Sequence, residues 1–189
     1  VAANLAISLA QTGKRVLLID ADLREQRQHA MFGIDNPESG LAAIITSDVE
    51  PVDAICQTSV NNLSLLPAGP LPDGPCELFT SPRFGELIGL VRESYDHVLI
   101  DTEPLLAASD PFVIASHTDG VILVLRLARD GRQKAQQAKQ MMERLDVNLL
   151  GVVVNRMHGA ALGQRTIERP DLTRPSNEPG RTQTEPTFG

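Results

Sequence analysis

Aliphatic runs bounded by charge recur along the chain, spaced to leave room for a helix between them. The first is Val16-Leu17-Leu18-Ile19, which stops at Asp20-Ala21-Asp22-Leu23-Arg24. A half-exposed strand would alternate apolar and polar side chains, so four consecutive aliphatics predict a strand buried on both faces. His97-Val98-Leu99-Ile100-Asp101 repeats the design, Gly120 to Arg126 gives a third aliphatic strand and Leu149 to Asn155 the last. Leu63 to Gly69 predicts a further strand, running into a loop rich in proline and glycine from Pro70 to Pro75.

Between these runs the apolar period changes to three and four residues. Val1, Ala2, Leu5, Ala6 and Leu9 predict a helix that Gly13 stops, with Lys14 and Arg15 favourable at the negative end of its dipole. Leu23 to Phe32 is polar, and Leu41 to Thr46 and Val52 to Ile55 suggest short helices. Ser81-Pro82 places a capping residue before a proline at the first helical position, and Phe84, Leu87, Ile88, Val91 and Tyr95 form the apolar stripe that follows. Ser109-Asp110-Pro111 is another helix start, and Arg132 to Leu145 a helix with Ala135, Ala138, Met142 and Leu145 inward. Strands alternating with helices predict a three-layer α/β/α fold, its mostly parallel sheet covered on both faces. From about Gly159 four prolines lie among Thr, Arg, Glu and Gln without apolar period, so residues 1–158 are expected to form the domain and 159–189 a disordered tail.

The 189 residues are 42% hydrophobic, enough for one domain with a substantial core. A net charge of -7, from 24 acids against 17 bases, argues against a nucleic-acid partner. The two cysteines, Cys56 and Cys76, pair with no His or Cys at a metal spacing and suit a reducing cytosol. No apolar run approaches the roughly 20 residues a membrane helix needs. His29, His97, His117 and His158 are scattered, and Ser109 with His117 and Asp119 lacks the G-x-S-x-G elbow of a hydrolase, so Ser109 is better read as a helix cap.

The chemistry gathers at the acids. In a parallel α/β sheet the ligand crevice lies beyond the carboxyl ends of the strands, where Asp20, Asp22 and Asp101 fall. Oxygen ligands suit Mg²⁺, which neutralises charge on the β- and γ-phosphates during phosphoryl transfer, and a second acid can orient or deprotonate the attacking hydroxyl. One strand-end Asp is more simply a turn cap. Two aliphatic runs ending this way favour the metal.

Val16 to Arg24 resembles the Walker A′ motif of bacterial tyrosine kinases, P-loop ATPase relatives that control capsule and exopolysaccharide assembly, and Val98-Leu99-Ile100-Asp101-Thr102-Glu103-Pro104 resembles their Walker B. Pro70 to Pro82 is similar to the loop before their strand-linking helix, and Val152-Val153-Val154-Asn155-Arg156 to their terminal strand. The resemblance implies a P-loop NTPase fold of the deviant-Walker, ParA/MinD-like class, with ATP and Mg²⁺ as cofactors. It implies that Asp20 and Asp101 act through the Mg²⁺ shell and that Asp22 is the metal-proximal acid assisting a tyrosine hydroxyl. Arg24 would stabilise phosphate or hold a subunit interface, its alternative being a surface salt bridge. Asn155 would bond the adenine with Arg156 alongside it, the alternative for Asn155 being a strand-end turn residue. It further implies a membrane chain-length regulator as partner, fused or separate, a protein-tyrosine substrate, homo-oligomers, and a cytoplasmic location at the inner face of the membrane.

The departures from that pattern matter as much. The chain has no G-x-x-x-x-G-K-[ST], the loop whose amides cradle phosphates. Since Val1 opens inside a helical pattern, that loop and its strand are expected upstream in a longer protein, and the fragment alone is expected not to hydrolyse ATP. Glu103 stands where the Walker B pattern has its first proline, adding a negative charge beside Asp101. The tail carries no tyrosine, and the single tyrosine, Tyr95, is expected to pack in the core. Alternative readings are a ParA/MinD-like partitioning ATPase, against which D-A-D-L-R speaks, and a non-catalytic nucleotide-binding scaffold of polysaccharide export.

Overall fold

The computed structural model describes residues 1–35, 37–47, 49–70, 78–126 and 131–155, all within one compact unit, Val1–Met157. In chain order they form α1 (Ala2–Gln11), β1 (Val16–Ala21), α2 (Gln28–Met31), α3 (Leu41–Thr46), α4 (Pro51–Ala54), β2 (Cys56–Gln57) and β3 (Leu63–Leu66). Then come α5 (Pro82–Ser94), β4 (His97–Thr102), α6 (Asp110–Ala115), β5 (Val121–Arg126), α7 (Gly131–Arg144) and β6 (Leu149–Asn155).

β1 is the centre. Every one of its residues is buried, as an unbroken aliphatic run requires. It pairs in parallel with β3 on one side and β4 on the other, within a sheet ordered β2-β3-β1-β4. Leu17, Ile19 and Ala21 join a cluster containing Leu41, Phe84, Leu87 and Val91, so α3 and α5 cover that face. Val16 and Leu18 join Ala3, Ala6 and Ala10, so α1 covers the other. The two-residue side-chain period of a strand thus sends alternate residues of β1 into two helical layers.

Local chemistry sets the ends of these elements. Gly13 takes φ +85° after α1, a conformation a residue with Cβ resists, and turns the chain toward β1. The backbone N–H of Arg15 then donates to Asp96 Oδ2 at 2.8 Å while Asp96 N–H donates to the Arg15 carbonyl at 2.9 Å, tying the starts of β1 and β4 together. Ser81 Oγ accepts from the N–H of Arg83 at 3.3 Å, the expected cap of α5, and Tyr95 packs against the core as expected.

Two expectations need correction. The strands do not form one doubly covered sheet: β5 and β6 pair in parallel as a separate two-stranded sheet whose Ile122, Val124, Val152 and Val154 are exposed. A continuous aliphatic run reports what a strand could bury, not whether layers are present to bury it. Cys56–Gln57 adds an antiparallel edge beside β3, too short for any sequence period to announce. In α7, Ala138 and Met142 are buried, but Leu145 lies one residue past the helix and is 54% exposed, because the helical period no longer directs it.

Candidate functional site

The site is built where β1 and β4 end. Parallel register sets Asp20 opposite Asp101, so two carboxylates from runs 81 positions apart become neighbours. Beyond Asp20 the chain reverses tightly. Asp20 Oδ1 accepts from Asp22 N–H at 3.3 Å and Oδ2 from Gln28 N–H at 3.0 Å. Asp22 Oδ1 accepts from the N–H groups of Arg24 and Glu25 at 3.2 and 2.8 Å, an Asx turn of the kind aspartate favours. The turn-capping role weighed for such acids is therefore real, and it coexists with their convergence.

Burial tunes these acids. Asp20 is 1% exposed, and desolvation pushes its carboxyl up to about 6 against the opposing bond from Gln28 N–H, with the charge of Asp101 adding to the rise. Asp101 is also raised by burial, opposed by the hydrogen bond from the Gln28 side chain. Glu103 is raised by burial too, and its like-charged neighbours are Asp22 and Asp110.

Arg24 does not stand loose over the acids. Its Nε lies 3.2 Å from Glu103 Oε1, the arginine 62% exposed and the glutamate 5%. This is the salt-bridge alternative named for Arg24, with a buried partner that the sequence did not identify. A shallow cleft of about 530 Å³ opens beside it, lined by Arg24, Arg27, His29 and Gly69 among others.

Asp20, Asp22, Arg24 and Asp101 are brought together at the ends of β1 and β4. Asn155 closes β6, exposed, opposite Arg126 in the other sheet. Arg156 and most of the loop from Pro70 to Pro82 lie outside the described residues, as does the tail from 159. Gln28 was missed altogether: a glutamine eight residues past Asp20 matches no catalytic pattern, and only the fold returns it to the acids.

Among the described residues no three His, Cys, Asp or Glu side chains could by themselves enclose a metal ion. The donor set does fit a cation that keeps most of its water, as Mg²⁺ does. Two desolvated carboxylates face each other at adjacent strand ends.

The sequence itself decides the family. An AAA-domain family model matches residues 1–149. Tyrosine-protein kinase CpsD of Streptococcus agalactiae is 34% identical over 155 residues, 82% of this chain and 68% of its own. The chain belongs to the bacterial tyrosine-protein kinases. Tyrosine-protein kinase Wzc of Salmonella typhi is 36% identical over 163 residues, 86% of this chain, which spans 22% of that kinase's length. Among solved structures, the chimerical protein CapA2B2 superposes with a TM-score of 0.78 at 35% identity, covering 82% of this chain and 69% of that one. The Pyrococcus furiosus cell division ATPase MinD, 22% identical, superposes at 0.65 over 81% of this chain and 64% of its own. That likeness shows the fold alone, of the P-loop NTPase type with a mostly parallel sheet.

Proposed function

We propose that these residues serve ATP-dependent phosphorylation of protein tyrosine, and that the observation carrying it is the facing pair Asp20 and Asp101 at adjacent parallel strand ends. When bound, Mg²⁺ supplies neutralisation of charge on the transferring phosphoryl group. Asp20 and Asp101 would hold its water shell from the protein side. Asp22, on the turn just above, accepts or orients the proton of the incoming tyrosine hydroxyl. Arg24, held by its ion pair with Glu103, would meet phosphate or a neighbouring subunit. Asn155 and Arg156 would bind the adenine.

In this reading the protein works in capsule or exopolysaccharide chain-length control and export. Its partners are a membrane chain-length determinant, fused or separate, and further copies of itself at the inner face of the membrane. Among the described residues no helix is long and apolar enough to cross a membrane. The chain contains no G-x-x-x-x-G-K-[ST], so by itself it is expected to be inactive.

One observation favours a second reading, a nucleotide-binding scaffold without kinase activity. Glu103 engages Arg24, and the single tyrosine is packed against the core. The test is a phosphotyrosine blot after incubation with Mg-ATP and a tyrosine-containing polypeptide, using protein with a phosphate-binding loop joined ahead of Val1. The kinase reading requires signal in the parent and its loss in Asp22→Asn with nucleotide binding retained. Nucleotide binding without signal in the parent leaves the scaffold.

A further inference from the structure

The cleft of about 530 Å³ beside Arg24 is left without a task by the chemistry proposed above. The order of the strands sets it apart from the carboxylate pair. Asp20 and Asp101 face each other at the ends of β1 and β4, whereas β3 is the neighbour of β1 on its other side. One wall of the cleft is the turn after β1, Arg24 to Arg27, and the other includes Gly69 and Pro70, which follow β3. Adjacent strands lie roughly 5 Å apart, so the cleft opens about one strand away from the acids.

Both walls are held in place. The N–H groups of Arg24 and Glu25 donate to Asp22 Oδ1 at 3.2 and 2.8 Å, and Gln28 N–H donates to Asp20 Oδ2 at 3.0 Å, so the backbone carrying Arg24 and Arg27 is pinned at both ends. Opposite, a Cβ on Gly69 would lie 2.9 Å from Gly40 N, so the segment after β3 rests directly on the one before α3. Two arginines line the cleft against one acid, Glu25, in a chain whose net charge is -7. Neither arginine is locked. Glu103 engages Arg24 through Nε, and a guanidinium carries four further N–H donors on its terminal nitrogens. Arg27 Nη2 lies 2.7 Å from Glu25 Oε2, but these side chains are 72% and 65% exposed, and so exposed an ion pair holds its partners weakly. A carboxylate entering the cleft can therefore take the place of Glu25.

We propose that the cleft receives an acidic side chain beside the tyrosine of a polypeptide substrate, with Arg27 setting this preference and Arg24 assisting it. This rests on the kinase reading given above. Asp22, which would meet the tyrosine hydroxyl, stands two residues before Arg24 and accepts from its N–H. Consecutive residues of an extended chain are about 3.5 Å apart, so a polypeptide whose tyrosine reaches Asp22 brings the flanking residues within reach of the cleft. Guanidinium groups bind carboxylates through charge-assisted, two-pronged hydrogen bonds. A nucleotide phosphate would suit the same donors, but in this reading the phosphates belong with Asp20 and Asp101, toward β4.

The binding test uses the 189-residue chain without nucleotide and two fluorescent peptides that differ only in the residues flanking one tyrosine, glutamate in one and glutamine in the other. The glutamate peptide should bind about fivefold more tightly, the factor an exposed guanidinium–carboxylate pair carries. Arg27→Gln, an exposed substitution whose fold circular dichroism checks, should abolish most of that difference and leave the affinity for the glutamine peptide unchanged. In the parent, the glutamate peptide should shift the amide NMR signals of Arg27 and Gly69. Equal affinity for the two peptides, binding of neither, a preference undiminished in Arg27→Gln, or amide shifts confined to other residues overturns the proposal. So does displacement of the glutamate peptide from those amides by ATP added without metal, which would make the cleft a phosphate site. Phosphate transfer from Mg-ATP, in protein with a phosphate-binding loop joined ahead of Val1, separates the two levels. Transfer to both peptides with the same KM keeps the kinase reading and removes the cleft assignment, whereas a glutamate preference in binding with no transfer to either peptide removes the kinase reading.

Discussion

Arg24 Nε stands 3.2 Å from Glu103 Oε1, joining the turn after β1 to the residue that follows β4. The pair is lopsided, an exposed guanidinium against a buried carboxylate, so its two halves are not equivalent. Removing the arginine strands a buried charge, while removing the charge of the glutamate strands nothing. Arg24→Ala is therefore expected to cost about 1–3 kcal/mol. Glu103→Gln should stay within about 1 kcal/mol of the parent. Urea unfolding at pH 7 checks both, and equal losses in the two variants would count against this asymmetry.

Asp20 makes stability depend on pH. Its folded value of about 6 lies above the ordinary 3.8, so between these values the folded protein holds a proton that the unfolded chain has released. The folded state is thus favoured at low pH, and this contribution is lost as pH rises from about 4 to about 6. Relative to Asp20→Asn, the parent should lose on the order of 2 kcal/mol of stability between pH 4 and pH 7. The measurement is denaturant unfolding across that range in a chelator. A parent-minus-variant difference that does not change with pH would contradict it.

Two glycines separate crowding from backbone strain. A Cβ on Gly40 would lie 2.4 Å from the Pro67 carbonyl oxygen and 2.5 Å from Gly69 N, where the segment before α3 crosses the one after β3. Gly13 has φ +85° but nothing within 4 Å of its would-be Cβ. Gly40→Ala must push backbone against backbone and should cost about 3 kcal/mol or more, whereas Gly13→Ala should cost about 1 kcal/mol. Thermal unfolding ranks them, and a larger loss for Gly13→Ala would show the crossing to be pliant.

The two acids that define the site were legible because each ends a run whose aliphatic character dictates burial on both faces. Once Val16–Asp20 and His97–Asp101 are both parallel strands, their carboxyl ends fall on the same edge, and the structure sets Asp20 directly opposite Asp101. α5 was legible for the same kind of reason, since Ser81, Pro82 and the Phe84–Val91 stripe all specify one helix. Gln28 and the Glu103 partner of Arg24 were not, because neither residue type has a local pattern and both contacts depend on how the turn after Asp20 folds back. The exposure of β5 and β6 was hidden for the opposite reason. Their sequences satisfy the rule for a buried strand, and burial depends on neighbours outside the run.

In the proposed function Asp20 and Asp101 act together on a phosphoryl group. The most direct measurement is transfer of labelled phosphate from Mg-ATP to a tyrosine polypeptide, using protein with a phosphate-binding loop joined ahead of Val1, in the parent and in Asp101→Asn. A fall of about 100-fold or more in Asp101→Asn, about 3 kcal/mol of transition-state stabilisation, with the fold intact, is the predicted result. Transfer by Asp101→Asn at the parent's rate would contradict it.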